Sequence, residues 1–316
     1  MRTTNLAKVS GDCAFLDDVL TGLSGPVKSL PAKYFYDAEG SRLFEEICDL
    51  PEYYLTRTEI ALLTKVAPEI ALYIPAGAAL VEFGSGASLK TRLVLDAAPH
   101  LGAYVPIDIS ESALTQAVAA LARDYPDLAV TPVAADFTRP LNLPEAIRAR
   151  PLVGFFPGST IGNFTPDEAA ALLAQARAML GPDAAFLVGA DLVKSVETLI
   201  RAYDDEQGVT AAFNRNLLYR INRDLDGDFD PSAFKHRALW NSRESRIEMH
   251  LVSARSQYVS VGGERLSFAE GQSIHTENSY KFTETMIADI AGRAGWCVET
   301  SWISDAQPFG IFLLRS

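Results

Sequence analysis

The sequence predicts an α/β protein in which a doubly wound domain with a parallel sheet is interrupted by a second domain of α+β type. From Thr56 to residue 195, short apolar runs alternate with amphipathic helical patterns, as expected of buried parallel strands joined by helices. Residues 196–280 instead contain helical stretches followed by segments that alternate apolar and polar residues, which is typical of antiparallel strands. The α/β pattern resumes after residue 281.

The strands of the first domain are predicted from continuous apolar runs. These runs are Ala79–Phe83, Ala103–Ile107, Leu128–Val133, Leu152–Phe156 and Ala185–Ala190. Two helices between them have start signals: Thr56-Arg57-Thr58-Glu59 has the form of a capping box, and Thr165-Pro166-Asp167-Glu168 combines a cap residue, a proline and a glutamate. Repeated strand–helix units of this kind predict a doubly wound sheet.

The end of the chain is predicted to complete this sheet. Phe282–Ala294 is a helix pattern that stops at Gly295, and Val298–Ile303 and Gly310–Leu314 suit an antiparallel hairpin. We therefore expect one domain of residues 56–195 plus 281–316.

The second domain is predicted to comprise residues 1–55 plus 196–280. Val196–Tyr203 and Val209–Asn222 have helical patterns, and Arg246–Val252 and Ser256–Val261 have strand patterns. In Arg246–Val252 the apolar residues fall at every second position, so one face of that strand is expected to be buried.

Composition restricts the classes of function. The 316 residues are 48% apolar and carry a net charge of −12, which favours a globular protein and argues against a nucleic-acid substrate. Three widely spaced cysteines suit a reduced compartment, and four scattered histidines give no metal-ligand spacing. Without a signal peptide or a membrane-length apolar run, the sequence predicts a cytoplasmic protein, and we expect a monomer that acts on a small molecule without a metal.

A glycine turn follows the first predicted strand, in the string Glu82-Phe83-Gly84-Ser85-Gly86. Glycines there let the backbone turn sharply and approach a ligand. A dinucleotide fingerprint would need a third glycine where the chain has Leu89, and no Gly-Lys-Ser/Thr of a P-loop is present. The acidic residue two positions before the first glycine instead resembles the first motif of class I methyltransferases.

Acidic residues also end the next two predicted strands. Asp108 could accept both ribose hydroxyls of a nucleoside, and Asp136-Phe137 could pair with an adenine ring. Each acid alone could equally be a helix cap or a solvated loop residue. Because the carboxyl ends of strands are where open α/β sheets bind ligands, the three features together predict a site for S-adenosylmethionine.

Longer strings of the chain resemble the bacterial histidine Nα-methyltransferases of ergothioneine biosynthesis, from about Tyr34 to the C-terminus. The strings are Tyr34-Phe35-Tyr36-Asp37, Gly40-Ser41-Arg42-Leu43-Phe44, Leu50-Pro51-Glu52-Tyr53-Tyr54, Pro157-Gly158-Ser159-Thr160-Ile161-Gly162-Asn163, Tyr203-Asp204-Asp205, Phe213-Asn214-Arg215-Asn216 and Thr276-Glu277-Asn278-Ser279. The resemblance implies a Rossmann-like class I methyltransferase domain with a substrate-binding domain. It also implies transfer of three methyl groups from S-adenosylmethionine to the α-amino group of L-histidine, which gives hercynine.

The resemblance also implies site residues. The cofactor contacts would be Gly84, Lys90, Asp108, Asp136 and Phe137. The histidine contacts would be Tyr53, Asn163, Tyr203, Met249, Glu277, Asn278 and Ser279, with Tyr36 and Asn163 orienting the amine for catalysis. Asn278 departs from the isoleucine of many relatives, which bears on fine specificity. We further expect the second domain to cover the cofactor, with the amino acid held between the two domains.

Several alternatives remain open at the level of sequence. The acceptor could be another amino acid such as tryptophan, with the same cofactor site. A nicotinamide-dependent oxidoreductase or a non-catalytic module that binds S-adenosylmethionine would use the same fold class. The tyrosines could be core aromatics, Met249 a core residue and Lys90 a solvated residue of the first helix.

Overall fold

The computed structural model describes residues 3–86, 89–109 and 111–316. The chain forms two compact units. Unit 1 consists of the chain up to Tyr53 together with Ser195–Ser279, and unit 2 consists of Tyr54–Lys194 and Tyr280–Ser316. The assignment of one unit to the cofactor and of the other to the substrate stays a prediction.

The helices and strands are numbered in chain order. The helices are α1 Thr3–Ser24, α2 Ala38–Asp49, α3 Tyr54–Ile70, α4 Leu89–Ala97, α5 Glu111–Asp124, α6 Glu145–Arg148, α7 Pro166–Leu180, α8 Val196–Tyr203, α9 Val209–Asp224 and α10 Glu284–Arg293. The strands are β1 Lys28–Ser29, β2 Ala79–Phe83, β3 Ala103–Asp108, β4 Ala129–Val130, β5 Val133–Ala134, β6 Leu152–Phe156, β7 Ala185–Asp191, β8 Phe234–Asn241, β9 Arg246–Ser253, β10 Gln257–Val261, β11 Glu264–Phe268, β12 Ser273–Tyr280, β13 Cys297–Ile303 and β14 Phe309–Arg315. In the described part of the chain, no helix is long and apolar enough to cross a membrane.

Unit 2 is built on a mixed sheet with the strand order β13-β14-β7-β6-β2-β3-β4, and β5 also pairs with β3. β7, β6, β2, β3, β4 and β5 are parallel, whereas β14 is antiparallel to both of its neighbours. Both faces are covered: within β2, Leu80 belongs to one apolar core and Val81 to the other. The predicted parallel sheet and its closing hairpin are confirmed.

The predicted strand Leu128–Val133 is wrong as a continuous strand. Two short strands, β4 and β5, pair separately with β3, and Thr131 and Pro132 lie between them. Thr131 still donates its N–H to the carbonyl of Tyr104 at 2.9 Å, but Pro132 has no N–H to continue the ladder. The proline therefore interrupts the strand at the edge of the sheet.

One of the two predicted capping boxes is also wrong. Helix α3 begins at Tyr54, so Thr56 lies inside the helix, and the Glu59 side chain is buried instead of capping the helix start. At the start of α7, by contrast, Thr165 and Glu168 form the reciprocal side-chain and backbone bonds of a capping box. Glu59 instead forms an ion pair with Lys90, which lies far from it in sequence and so cannot be predicted from a local pattern.

Unit 1 contains a sheet with the order β1-β12-β9-β8 and a separate hairpin of β10 and β11. β8 and β9 are antiparallel, and the alternating residues Ile247, Met249 and Leu251 of β9 are buried as predicted. Helix α8 has the predicted bounds, and α9 extends two residues further, to Asp224. The strands β8, β11 and β12 were not predicted: β8 and β12 lack a clear apolar alternation, and in β11 the alternation is limited to Leu266 and Phe268.

Candidate active site

The glycine turn of unit 2 lies at the carboxyl ends of the parallel strands. Gly84 and Gly86 have φ angles of +75° and +45°, a conformation that favours glycine. The N–H of Gly86 points to the Asp108 carboxylate at 3.4 Å, and a Cβ on Gly84 would lie 3.5 Å from the Phe137 ring. The structure thus brings Gly84, Asp108 and Phe137 together, as the sequence predicts.

Asp136 and Phe137 are held in place by local contacts. Oδ1 of Asp136 accepts hydrogen bonds from the backbone N–H of Thr138 at 2.9 Å and from its hydroxyl at 2.5 Å. The Phe137 ring meets the Phe156 ring edge-on at 5.6 Å, and its carbonyl accepts from Gln175 at 3.1 Å. Asp136 therefore shapes the turn after β5, and a contact of its carboxylate with adenine stays a prediction.

Glu82, two positions before Gly84, is a buried carboxylate. It accepts hydrogen bonds from the Thr91 hydroxyl at 2.6 Å and from the Tyr104 phenol. Burial raises the pKa of Glu82 to about 7, although both hydrogen bonds act in the opposite direction. The side chain links β2 to β3 and α4, and so fixes the two ends of the glycine turn.

Lys90, a predicted cofactor contact, forms an ion pair with Glu59 at 2.6 Å. The Glu59 carboxylate also accepts the backbone N–H of Gly158, with 2.9 Å to each oxygen. Room for this carboxylate depends on Gly189, because a Cβ there would lie 2.2 Å from Oε1 of Glu59. About a fifth of the Lys90 side chain, 20%, is exposed, and its contact with a cofactor carboxylate stays a prediction.

The segment after β6 carries Asn163. Gly158 and Ser159 both have positive φ, +84° and +57°, and a 3-10 helix over Thr160–Asn163 follows. Gly162 lies so close to the backbone of Tyr280 that a Cβ would be 2.9 Å from its carbonyl oxygen. The backbone around Asn163 is therefore closely packed within unit 2, and its role in orienting the amine stays a prediction.

Sequence reasoning missed a buried ionic group at the end of β7. The Asp191 carboxylate accepts from the phenol of Tyr54 at 2.5 Å and pairs with Lys281 at 2.9 Å and with Lys194. We call these four residues the Asp191 cluster. The sequence feature that could have indicated this cluster is that Asp191 directly follows an apolar run, as Asp108 does.

The substrate residues predicted in unit 1 include an aromatic group. Tyr53 packs edge-on against Tyr203, with ring centroids 6.1 Å apart, and against Phe44 at 6.2 Å. Tyr36 meets Phe44 at 5.8 Å and Phe213 at 6.0 Å. The structure thus links Tyr36, Tyr53 and Tyr203 through a continuous set of ring contacts.

Polar groups lie beside these rings. The Tyr203 hydroxyl and the Ser279 hydroxyl are hydrogen-bonded at 2.6 Å. The pKa of Tyr53 is raised well above its usual value, chiefly by burial and then by the nearby Tyr203, Cys48, Tyr36 and Glu277. Tyr53 is therefore a neutral phenol, able to donate a hydrogen bond without carrying charge.

Strand β12 carries the predicted imidazole contacts. Because side chains alternate along a strand, Glu277 and Ser279 share one face and Asn278 lies on the other. Among the described residues, the buried Oδ1 atom of Asn278 has no hydrogen-bond partner. The place of Asn278 among the substrate contacts stays a prediction, and strand geometry separates it from the other two residues.

Met249 and the histidines of unit 1 are held within the protein. Met249 is buried on β9, and its carbonyl accepts from the Thr276 hydroxyl at 3.0 Å. The His236 ring lies between the Tyr203 carbonyl at 2.8 Å and the Asn214 amide at 2.9 Å, as expected of a structural residue. Over residues 3–86, 89–109 and 111–316, no group of three or more His, Cys, Asp or Glu side chains could hold a metal ion.

The strand ends of unit 2 fit an adenosyl group. Gly84 and Gly86 carry no side chains, and among the described residues nothing lies within 4 Å of a Cβ built on Gly86. The Asp108 carboxylate adjoins this turn, and a carboxylate there suits two neighbouring ribose hydroxyls. Phe137 adds an aromatic surface beside Gly84.

Comparison with known proteins identifies the family of the chain. The model of a family described as "Histidine-specific methyltransferase, SAM-dependent" matches residues 15–316. A histidine N-alpha-methyltransferase of Mycolicibacterium smegmatis is 45% identical over 315 residues, which covers 98% of this chain and 97% of that protein. Ergothioneine biosynthesis protein 1 of Neurospora crassa is 35% identical over 92% of this chain, which corresponds to 33% of that longer protein.

Similarity to solved structures supports the fold. A methyltransferase of Clostridium acetobutylicum described as S-adenosylmethionine-dependent aligns with 87% of this chain and 98% of its own, at a TM-score of 0.50 and 11% identity. The fold is therefore that of class I methyltransferases, and the family match covers nearly the whole chain. The chain belongs to the family of histidine-specific, S-adenosylmethionine-dependent methyltransferases.

Proposed function

We propose that the protein transfers three methyl groups from S-adenosylmethionine to the α-amino nitrogen of L-histidine, and that the product, hercynine, serves ergothioneine biosynthesis. Family membership and the names of the two relatives support the substrate and the pathway. The structural observation that carries the proposal is the group of neutral phenols and hydroxyls in unit 1. Tyr53, Tyr203 and Ser279 provide hydrogen bonds for a zwitterionic amino acid, and Glu277 supplies a carboxylate for an imidazole.

The chemistry requires little more than positioning of the amine. S-adenosylmethionine supplies a methyl group already activated on a sulfonium. The amine lone pair forms the new C–N bond while the C–S bond breaks, its electrons stay on sulfur, and S-adenosylhomocysteine leaves. Converting an α-ammonium to a trimethylammonium in this way releases three protons, so the amine must lose one before each transfer. Tyr36 and Asn163 would orient the neutral amine toward the methyl group.

Each substrate residue has a role that its chemistry permits. Tyr53, Tyr203 and Asn163 would donate hydrogen bonds to the histidine carboxylate, which a neutral phenol or amide does without an opposing charge. Glu277 would accept the imidazole N–H, and the Ser279 hydroxyl would bond the second ring nitrogen. A site that bonds both nitrogens discriminates against side chains without them, because its own polar groups would be left unpaired.

The third transfer creates a permanent cation. The faces of the tyrosine rings, Tyr36 above all, would stabilise the trimethylammonium by cation–π attraction. Such contacts are worth about 0.5–2 kcal/mol each.

The proposed cofactor contacts come from residues at or near the carboxyl ends of the parallel strands. Asp108 would accept the ribose hydroxyls, Asp136 and Phe137 would contact the adenine, and Gly84 would leave space for the backbone of the turn to approach the cofactor. Lys90 would reach the cofactor carboxylate from its ion pair with Glu59. Because the sulfonium needs no Lewis acid, we expect activity to survive chelators. We further propose a cytoplasmic, monomeric enzyme that acts on a small molecule.

Substitution of Glu277 tests the identity of the acceptor. Glu277→Gln replaces the imidazole acceptor with an amide, and loss of a charge-assisted hydrogen bond of about 1.5–3 kcal/mol lowers kcat/KM for L-histidine by about ten- to a hundredfold. Glu264→Gln, on the exposed part of the β10–β11 hairpin, is the matched control and leaves kcat/KM unchanged. Initial rates of S-adenosylhomocysteine release measure both variants.

The same assay separates the tryptophan alternative. An enzyme for tryptophan would turn over L-tryptophan faster than L-histidine, and Glu277→Gln would leave that rate nearly unchanged. Either result would count against a histidine site that contains Glu277.

A further inference from the structure

The Asp191 cluster lies where the chain passes between the two units. The chain leaves or enters unit 2 directly after Tyr53, after Lys194 and after Ser279. Tyr54 is the first residue of unit 2 after the first passage, and Lys194 is the last before the second. Lys281 is the second residue after the third passage. All three side chains end on the one carboxylate of Asp191.

The contacts of the cluster are buried and directional. The side chains of Asp191 and Lys281 are 0% exposed and that of Lys194 is 4% exposed. Oδ2 accepts from Tyr54 and Lys281, and Oδ1 accepts from Lys194, so both carboxylate oxygens are used. The Lys194 ammonium also lies 4.0 Å above the Tyr54 ring, a cation–π contact that joins the first two passages directly.

The main chain strengthens the same junction. The N–H of Phe282 donates to the Asp191 carbonyl at 2.9 Å, and the N–H of Val193 donates to the Phe282 carbonyl at 3.0 Å. The N–H of Asp191 donates to the Ser159 hydroxyl at 2.9 Å. Ser159 belongs to the segment that ends at Asn163, so Asp191 also restrains the turn that carries the amine-orienting residue.

The residues that adjoin these passages in sequence are those assigned to the substrate. Tyr53 immediately precedes Tyr54, and Ser279 comes two residues before Lys281. We propose that Asp191 is a positioning residue for histidine binding: by fastening Tyr54, Lys194 and Lys281, it sets the backbone from which Tyr53 and Ser279 extend. This inference rests on the proposed function and adds a determinant of substrate affinity that does not itself touch the substrate.

The composition of the cluster favours this role over a contribution to stability alone. The ionic groups of the cluster are buried, and buried ion pairs often add no more stability than apolar side chains would. What they provide is one specified geometry, because displacing a partner breaks directional bonds inside the protein. A junction of three chain passages requires such a geometry.

Tyr54→Phe tests the proposal with little risk to folding. The ring and its contact with Lys194 remain, and only the phenol bond to Asp191 is lost. We expect KM for L-histidine to rise severalfold, with about tenfold as the upper limit if the whole free energy of the lost bond to a charged group reaches substrate binding, while the Kd for S-adenosylhomocysteine stays within about twofold.

Tyr104→Phe is the matched control. It removes the same kind of bond, from a buried phenol to a buried carboxylate of unit 2, but at Glu82 beside the glycine turn. Its expected effect is the reverse: weaker binding of S-adenosylhomocysteine and an unchanged KM for L-histidine. Asp191→Asn should raise KM for L-histidine further than Tyr54→Phe does, and if it does not fold, Tyr54→Phe decides alone.

The outcomes are distinct. A change in KM for L-histidine in Tyr54→Phe without a change in cofactor affinity supports the positioning role. An unchanged KM, or equal losses for both ligands as general loosening would cause, overturns it while wild-type activity on L-histidine stands. If the wild-type protein does not methylate L-histidine, the proposed function fails and this inference fails with it.

Discussion

Two buried carboxylates at the ends of parallel strands in one sheet have opposite surroundings. Glu82, in β2, accepts hydrogen bonds from the hydroxyls of Thr91 and Tyr104. Asp191, which ends β7, accepts from one phenol and pairs with the ammonium groups of Lys194 and Lys281. The strand β6 lies between β2 and β7. Both side chains are buried, so the two acids differ in the groups that bond to them.

A buried carboxyl group can thus hold backbone segments together through hydroxyl partners or through ammonium partners. The hydrogen bonds from the two hydroxyls stabilise the charged form of Glu82 by less than burial destabilises it. The pKa of Glu82 therefore rises to about 7, so its carboxyl group titrates near neutral pH. Asp191 instead bonds through both of its carboxylate oxygens, to the ammonium groups of Lys194 and Lys281 and to the Tyr54 phenol. The predicted cofactor turn is thus braced by a carboxyl with hydroxyl partners, and the chain passages beside the predicted substrate residues by a carboxylate with ammonium partners.

Removing the charged junction should have the largest effect on stability. Asp191→Ala removes the carboxylate that pairs with the buried ammonium groups of Lys194 and Lys281, which we expect to cost about 3–5 kcal/mol of the free energy of unfolding. Urea unfolding followed by circular dichroism measures this loss. A loss below about 1 kcal/mol would contradict the assignment of Asp191 as their essential partner.

The raised pKa of Glu82 should make the free energy of unfolding depend on pH. The folded state holds the Glu82 proton up to about pH 7, whereas the unfolded chain releases it near its usual pKa of 4.5. The stabilising contribution is therefore full below pH 4.5 and is lost as the pH rises to 7, by about 3 kcal/mol in all. Glu82→Gln cannot titrate and removes this contribution.

The measurement is the difference in unfolding free energy between wild type and Glu82→Gln at pH 5 and pH 8. Taking the difference cancels the slopes of the other carboxylates. The wild type should lose more stability than the variant over this interval; parallel pH profiles would show that Glu82 is ionised throughout.

A third buried acid, Glu59, offers the smallest test. Gly189→Ala places a Cβ 2.2 Å from Oε1 of Glu59 and should disturb its bonds to Lys90 and Gly158, at a cost of about 1–3 kcal/mol. Gly292→Ala, in helix α10, is the control: no described residue lies within 4 Å of the new Cβ, and the change should stabilise by about 0.5–1 kcal/mol. Equal melting temperatures for the two variants would mean that the Glu59 site has room to adjust.

The parts of the fold that could be predicted are those that local chemistry determines. β2 and β6 have the predicted bounds because both are short, mostly apolar runs in which every residue is buried. Asp108 and Phe137 were found because the end of a strand is visible in sequence. Pro132, by contrast, was included in the predicted strand Leu128–Val133, although a residue without an N–H indicates a break in a strand.

What could not be predicted depends on partners distant in sequence. The Thr56–Glu59 string fits a capping box, yet Glu59 pairs with Lys90 and with Gly158, far along the chain. Tyr54, Asp191 and Lys281 carry no motif that connects them. Strand β12 holds Glu277 and Ser279 among other polar residues without alternation, so only the resemblance to relatives drew attention to them.

The most direct test of the proposed function is mass spectrometry of L-histidine incubated with the wild-type protein and excess S-adenosylmethionine. We expect a product that carries three methyl groups on the α-nitrogen and three molecules of S-adenosylhomocysteine for each molecule of product. Unmodified L-histidine under conditions in which S-adenosylhomocysteine binds, or methyl groups on the imidazole ring, would contradict the account.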